Sequence, residues 1–311
     1  MRSLSPVITI DELERIAALG WRGSDFQPLG EWQLRAANGF TGRANSCLPL
    51  GSPGVPVMEA LDRVRDFYTQ RDLTPRIQLA EPLDPLGHPV ALAADLAADG
   101  WVCGDPVFVL TAPVPNLIGF AGSSDDSMCV RLAGHPDADW VEGYRYRGGV
   151  VPAAGSAVLA HADRPVFATV SDGAGRLAVA RGVVDEGWLG ITAVTVEERA
   201  RRRGLATMLL GTLARWAAEQ SAQHAYLQVD GANGPALALY RARGFTDHHR
   251  YRYWTTSSGL SHELGPPEAV GGRTQGGQDG GDPRAVRGAP ADQRFDPAGG
   301  RGAHQRPAHE L

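Results

Sequence analysis

The sequence predicts an α/β (α+β) fold, and three stretches carry that expectation. At Leu189–Val196 the residues Leu189, Ile191, Ala193 and Thr195 alternate with Gly190, Thr192, Val194 and Val196, a β-rich run suited to a buried or half-buried strand. Helical spacing takes over after Gly204, where Leu205, Met208, Leu209, Leu213, Trp216 and Ala217 fall on one apolar face. A second strand and helix follow. Tyr226–Val229 reads as strand, and Pro235 suits the first turn of a helix that Gly244 stops.

Taken in order, the chain opens with a helix over residues 11–19, capped by Asp11, with Leu13 and Ile16 inward. Strands are expected at Trp32–Ala36 and Arg43–Leu50, joined as a hairpin across Ala37-Asn38-Gly39-Phe40-Thr41-Gly42. A helix at about 57–71, a strand at Arg76–Leu79, a helix at about 89–99 and a strand at Pro106–Thr111 come next. Residues 113–126, rich in Pro, Gly and Ser, read as a linker. Beyond it a strand at Ser127–Leu132, helices at Asp137–Tyr146 and Pro152–Ala160, and a hairpin of Pro165–Ser171 with Arg176–Val184 lead into the Leu189–Val196 strand. His248 and His249, adjacent near the last strand, are expected to point to opposite faces and to lie at the surface.

The turn between the Val196 strand and its helix is electrostatically odd. Four arginines, Arg199, Arg201, Arg202 and Arg203, crowd a helix N-terminus, where the macrodipole already favours anions. Gly204 allows close approach of a ligand to the backbone, Ala206 keeps the first helical turn slim, and free N–H groups there suit a pyrophosphate. An ordinary solvated basic turn is the alternative.

With Val196–Ala206 read as V-x-x-x-x-R-x-x-G-x-A and Asn233–Phe245 as N-x-x-A-x-x-L-Y…G-F, the chain resembles the GNAT superfamily of acyl-CoA-dependent N-acetyltransferases. The resemblance implies a mixed, mostly antiparallel sheet flanked by helices. The first third looks like a second copy: Leu48-Pro49-Leu50, helix, Arg76–Leu79, helix, Gly100-Trp101 parallels the motif region. It departs where it matters, since Gly51-Ser52-Pro53-Gly54 replaces the arginine-glycine turn and no tyrosine ends its second helix. The expected organisation is a degenerate GNAT-like half (1–112), the linker, a catalytic half (127–256) and a tail (257–311).

By the same resemblance, acetyl-CoA is the co-substrate. Its pyrophosphate would rest on the N–H groups of Arg202, Arg203, Gly204, Leu205, Ala206 and Thr207, with Arg201–Arg203 adding charge. The pantetheine arm would run beside Val194, Thr195 and Val196, whose backbone N–H groups, Val196 first, would polarise the thioester carbonyl. Asn233 would either bond that arm or cap its helix. Tyr240 is the implied general acid, since a phenol of ordinary pKa near 10 stays protonated at neutral pH and can donate to a departing thiolate. The base is unassigned. Gly190 occupies the position where some family members carry a glutamate, which leaves a water chain, Asp185 or Glu186.

The run LRAANGFTGRANSCLPLG is similar to that of actinobacterial two-part GNAT proteins, some of which are regarded as N-acetylglutamate synthases. The acceptor implied is a small-molecule amine such as glutamate, with Arg35 or Arg43 meeting its carboxylate or serving as plain surface charges. Acetylation of a protein or peptide amine is an alternative, and a non-catalytic acyl-CoA sensor is another, which the presence of Tyr240 disfavours.

Composition narrows the field. A formal charge of −5 argues against general nucleic-acid binding, and all 30 basic residues are arginine, so the protein has no lysine of its own to acetylate. Cys47, Cys103 and Cys129 are odd in number and lack metal-ligand spacing, which suggests a reducing cytoplasm and no metal. No run reaches the ~18 apolar residues of a membrane span. The last 55 residues hold 12 glycines and few large apolar side chains, a composition expected to remain disordered.

Overall fold

A capping box starts the first helix. Thr9 Oγ1 accepts the Glu12 N–H at 3.2 Å while the Glu12 carboxylate accepts the Thr9 N–H at 3.0 Å, so α1 (Ile10–Gly20) is capped by Thr9. Asp11, the expected cap, sits instead in the first turn, because the reciprocal Thr9–Glu12 bonds already start the helix two residues earlier. The computed structural model describes residues 8–84, 90–120, 127–144 and 149–256. The expected tail and parts of the expected linker, of the 89–99 helix and of the 137–146 helix lie outside the described residues.

Three strands follow α1 where two are expected. β1 (Asp25–Leu29) pairs with β2 (Trp32–Ala36), an edge strand that the sequence conceals because Pro28 interrupts it and four of its five residues are exposed. The stretch expected as one strand at 43–50 divides into a 3-10 turn at Arg43–Asn45 and the short β3 (Cys47–Leu48). Asn45 enforces the turn: its Oδ1 accepts the N–H groups of Ala37 and Gly39, and its Nδ2 donates to the carbonyls of Phe40 and Thr41. α2 (Val57–Thr69), β4 (Arg76–Glu81) and α3 (Ala91–Ala98) match their expected places. β5 (Trp101–Pro113) is twice as long as expected, and its extra length takes in Gly104 and Pro106 at a register shift. α4 (Val114–Ile118) occupies the beginning of the expected linker, with Val114 and Leu117 buried.

The second half runs β6 (Cys129–Ala133), α5 (Ala138–Tyr144), α6 (Ala153–Ala160), β7 (Val166–Asp172), β8 (Gly175–Asp185), β9 (Trp188–Val196), α7 (Leu205–Glu219), β10 (His224–Asp230), α8 (Gly234–Ala242) and β11 (Thr246–Thr256). No helix among the described residues is long and apolar enough to cross a membrane.

All eleven strands form one mixed sheet in the order β1-β2-β3-β4-β11-β5-β10-β9-β8-β7-β6. Its two parallel pairs, β3 with β4 and β9 with β10, are each joined by one crossover helix, α2 and α7. The other neighbours are antiparallel. The last strand of each half crosses over: β5 lies between β10 and β11, and β11 lies between β4 and β5. The sheet is therefore continuous across the expected boundary at 112–126. One core lies under α4, α7 and α8, with Leu205, Leu209 and Leu213 against Leu189, Ile191 and Leu227. A second, under α2 and α3, belongs to the first half, and two more bury α1, α5 and α6 against the sheet.

Candidate active site

β9 and β10 pair only from Trp188 to Ile191 and from His224 to Leu227. Beyond that point they part. Thr195 and Val196 of β9 stay on β8, while Gln228, Val229 and Asp230 of β10 stay on β5, so a fork opens between Thr192–Val196 and Gln228–Asp230. The fork has a local cause in β9, where three residues of β8 (Val179 to Arg181) span four of β9 (Thr192 to Thr195). Ala193, inside that bulge, has φ of +56°, and a bulge of this kind re-aims the strand edge and increases its twist. The residues of the arm, Thr192 to Val196, are half-buried, as expected of backbone that lines an open crevice.

β9 leads into the arginine turn. Arg202 (φ +62°) and Gly204 (φ +81°) both adopt left-handed backbone, and Gly204 is the N-cap of α7 with no side chain bonded to the helix end. A Cβ on Gly204 would meet nothing within 4 Å, so glycine is required there by its φ and not by crowding. Arg202 and Arg203 are exposed and Arg201 is half-buried. Arg201 lies 3.8 Å from Glu198 and Arg203 lies 3.9 Å from Asp172. Arg199 turns away, donating to the Arg176 carbonyl at 2.8 Å. An uncapped helix end, a left-handed turn and a cluster of guanidinium groups together make a favourable place for a polyanion.

α8 lies beyond the other arm of the fork. Asn233, buried, accepts the Ala236 N–H on Oδ1 at 3.2 Å and so caps α8. Tyr240 is 7% exposed and meets Phe245 edge-on, with centroids 5.9 Å apart. Gly244 follows with φ of +89° and ends the helix.

The opposite face of the fork explains the glycine at 190. A Cβ there would lie 2.4 Å from the Tyr226 hydroxyl, so the ring of Tyr226, projecting from the neighbouring strand, fills the space a longer side chain would need. Burial pushes the Tyr226 phenol above its ordinary pKa. Of the two acids considered as bases, Glu186 is held by Arg15 at 2.6 Å and 2.7 Å, and that hydrogen bonding draws its pKa down. Asp185 differs, because burial raises its pKa and Oδ2 would lie 3.6 Å from a Cβ at Gly20.

The expectations for Arg35, His248 and His249 are corrected. Arg35 is 4% exposed, and its guanidinium bonds Ser46 and Gln78 inside the first half, so it is neither a surface charge nor beside the fork. Arg43 stacks on Trp21 at 4.7 Å. His249 is fully buried and joined to Glu14 at 2.8 Å, and His248 meets both His249 (2.8 Å) and the Ile8 carbonyl (3.0 Å). The alternation that would have put the two histidines on opposite faces fails because β11 has a register shift between Asp247 and His249. Sequence reasoning also passed over Arg181, the one charge in the apolar run Leu177–Val184, and its cross-strand partner Thr192.

The likeness to known proteins agrees with this arrangement. Residues 8–254 match the family described as "Probable histone acetyltransferase Rv0428c C-terminal". The chain is 26% identical over 250 residues to "Uncharacterized N-acetyltransferase YobR" of Bacillus subtilis, covering 78% of this chain and 98% of that one. It is 26% identical over 257 residues to "Probable histone acetyltransferase Rv0428c" of Mycobacterium tuberculosis, covering 82% of this chain and 77% of that one. Among solved structures, a GCN5-related N-acetyltransferase from Kribbella flavida has the same fold (TM-score 0.61, 16% identity, 81% of this chain and 96% of that one). So does a tandem GNAT protein of the clavulanic acid biosynthesis pathway (TM-score 0.54, 15% identity, 69% and 75%). With a forked β9–β10 pair, an arginine-glycine turn and a family match from residue 8 to residue 254, the chain belongs to the Rv0428c C-terminal family of GNAT N-acetyltransferases and is an acyltransferase.

Proposed function

We propose that this enzyme moves an acetyl group from acetyl-CoA to a primary amine by direct attack, the acceptor being the α-amine of glutamate or another small amino acid. The observation that carries the reading is the fork that ends on the uncapped α7 N-terminus. A pyrophosphate on the N–H groups of Arg202–Thr207 would leave a pantetheine arm directed along Val194–Val196. Backbone N–H groups of that arm, Val196 first, supply hydrogen bonds to the thioester oxygen as negative charge develops on it. The amine nitrogen forms the new C–N bond, the C–S bond breaks, and Tyr240 gives its proton to the sulfur while the amine loses one to water or to Asp185. Amide and free thiol are the products.

Calorimetry with acetyl-CoA tests the cofactor site. The double variant Arg201→Glu, Gly204→Glu places two carboxylates where the pyrophosphate would lie, and binding should be lost while the circular dichroism spectrum is kept. Retained affinity would sink the assignment. The description of the family as a histone acetyltransferase favours a second reading, acetylation of a protein amine. Thiol release from acetyl-CoA with glutamate, other amino acids and basic peptides as separate acceptors decides between them.

A further inference from the structure

Arg181 is fully buried in the middle of β8, yet it forms no ion pair among the described residues. Its Nε donates to the Leu159 carbonyl at 2.8 Å and its Nη1 to the Gly20 carbonyl at 3.0 Å, which ties the C-terminal ends of α6 and α1 to the sheet. Those carbonyls hold the guanidinium in place and supply some negative potential. The third nitrogen, Nη2, is buried with no partner, and so is the Thr192 hydroxyl.

The two orphans belong together. Arg181 and Thr192 are direct cross-strand partners, and Thr192 is the first β9 residue past the last pair with β10, at the apex of the fork. Tyr226 stands over the same apex through Gly190. A second guanidinium shares the location: Arg43 lies 4.7 Å and Arg181 5.3 Å from the same Trp21 ring. Burial and the charge of Arg43 both depress the Arg181 pKa, to about 10, which leaves the group cationic at neutral pH. The nearby acid Asp185 acts on it only through space.

An unmet buried donor on a cation, beside an unmet hydroxyl, is unfavourable in the empty protein and persists where a ligand supplies the missing partner. A carboxylate suits both: it is negative beside the cation and offers one oxygen to the guanidinium N–H and another to the hydroxyl. We propose that Arg181 Nη2 and Thr192 Oγ1 bind the carboxylate of an acceptor whose amine lies at the fork, making these two residues determinants of acceptor class. This rests on the acetyl-transfer reading above.

The test pairs amino acids with their decarboxylated counterparts, glutamate with 4-aminobutyrate, tyrosine with tyramine and histidine with histamine, in the thiol-release assay on the whole chain. Wild type should favour the member that keeps its α-carboxylate in kcat/KM by about 10-fold or more, the scale of a lost charged hydrogen bond. Thr192→Val removes one orphan without changing shape. Its thermal midpoint without ligand should hold or rise, while KM for the carboxylate acceptor rises several-fold and acetyl-CoA affinity stays unchanged. Arg181→Gln should abolish the preference; if that variant fails to fold, Thr192→Val decides. Equal use of both members of every pair, an unchanged KM in Thr192→Val, or a fall in its midpoint overturns the proposal. If no amine is consumed, the acetyl-transfer reading fails instead, and the ligand-free midpoint still judges the orphan pair.

Discussion

Tyr240 sits edge-on to Phe245 at the C-terminal end of α8, and the role proposed for it can be isolated by removing one oxygen atom. Tyr240→Phe keeps the ring and its packing, so acetyl-CoA affinity by calorimetry should match wild type while turnover falls by about 10²-fold or more, the usual contribution of a general acid. Equal turnover would remove Tyr240 from the chemistry. At Gly190 the expected effect is on stability. Gly190→Ala brings a methyl to 2.4 Å from the Tyr226 hydroxyl, and the midpoint should fall, because the obstructing atom ends a buried ring that has little room to move. The paired variant Gly190→Ala, Tyr226→Phe should recover part of the loss.

At the scale of elements, α8 and α1 depend on local polar contacts that titration and substitution can read. Asn233→Ala deletes the cap on Ala236 and should destabilise by about 1 kcal/mol, whereas Asn233→Asp keeps a capping oxygen and should not. If acetyl-CoA affinity falls in both variants, the amide also serves the ligand; if only in Ala, the cap alone matters. His248, on β11, has its pKa lowered chiefly by burial and further by His249, while the Ile8 carbonyl and Glu14 oppose that shift. The unfolded chain therefore takes up this proton first, and stability should decline as pH falls below the ordinary histidine value of 6.5. Thermal midpoints between pH 7.5 and 5.5 should show a shallower decline in His248→Gln, in an order-of-magnitude comparison of slopes.

At the scale of the whole molecule, the exchange of β5 and β11 binds the two halves into one sheet. Residues 1–120 alone would expose both edges of β5 in place of β10 and β11, and residues 127–256 alone would leave β11 with no strand on either side. Long unpaired edges aggregate, so each half expressed alone should be insoluble, and co-expression should recover a soluble pair that copurifies. A soluble, cooperatively melting second half would show that β11 can close directly on β10.

How much of this was legible from the chain depends on the range of the interaction. Local devices were readable: the apolar stripe of Leu205, Leu209 and Leu213, the Pro235 start and Gly244 stop of α8, and the arginine-glycine turn each act over a few residues. The strand-helix order common to both halves was readable for the same reason, and with it the family and fold. Pairing between distant strands was not, since nothing in Trp101–Pro113 or Thr246–Thr256 states which neighbour each will take, and β5 joins β10 across more than a hundred residues. The burial of Arg35, Arg181 and His249 follows from that long-range closure, as does the bulge that sets His248 beside His249. A side chain's period shows which face of its own element it occupies. Whether that face meets solvent, another strand or an unpaired guanidinium is decided only when the sheet closes.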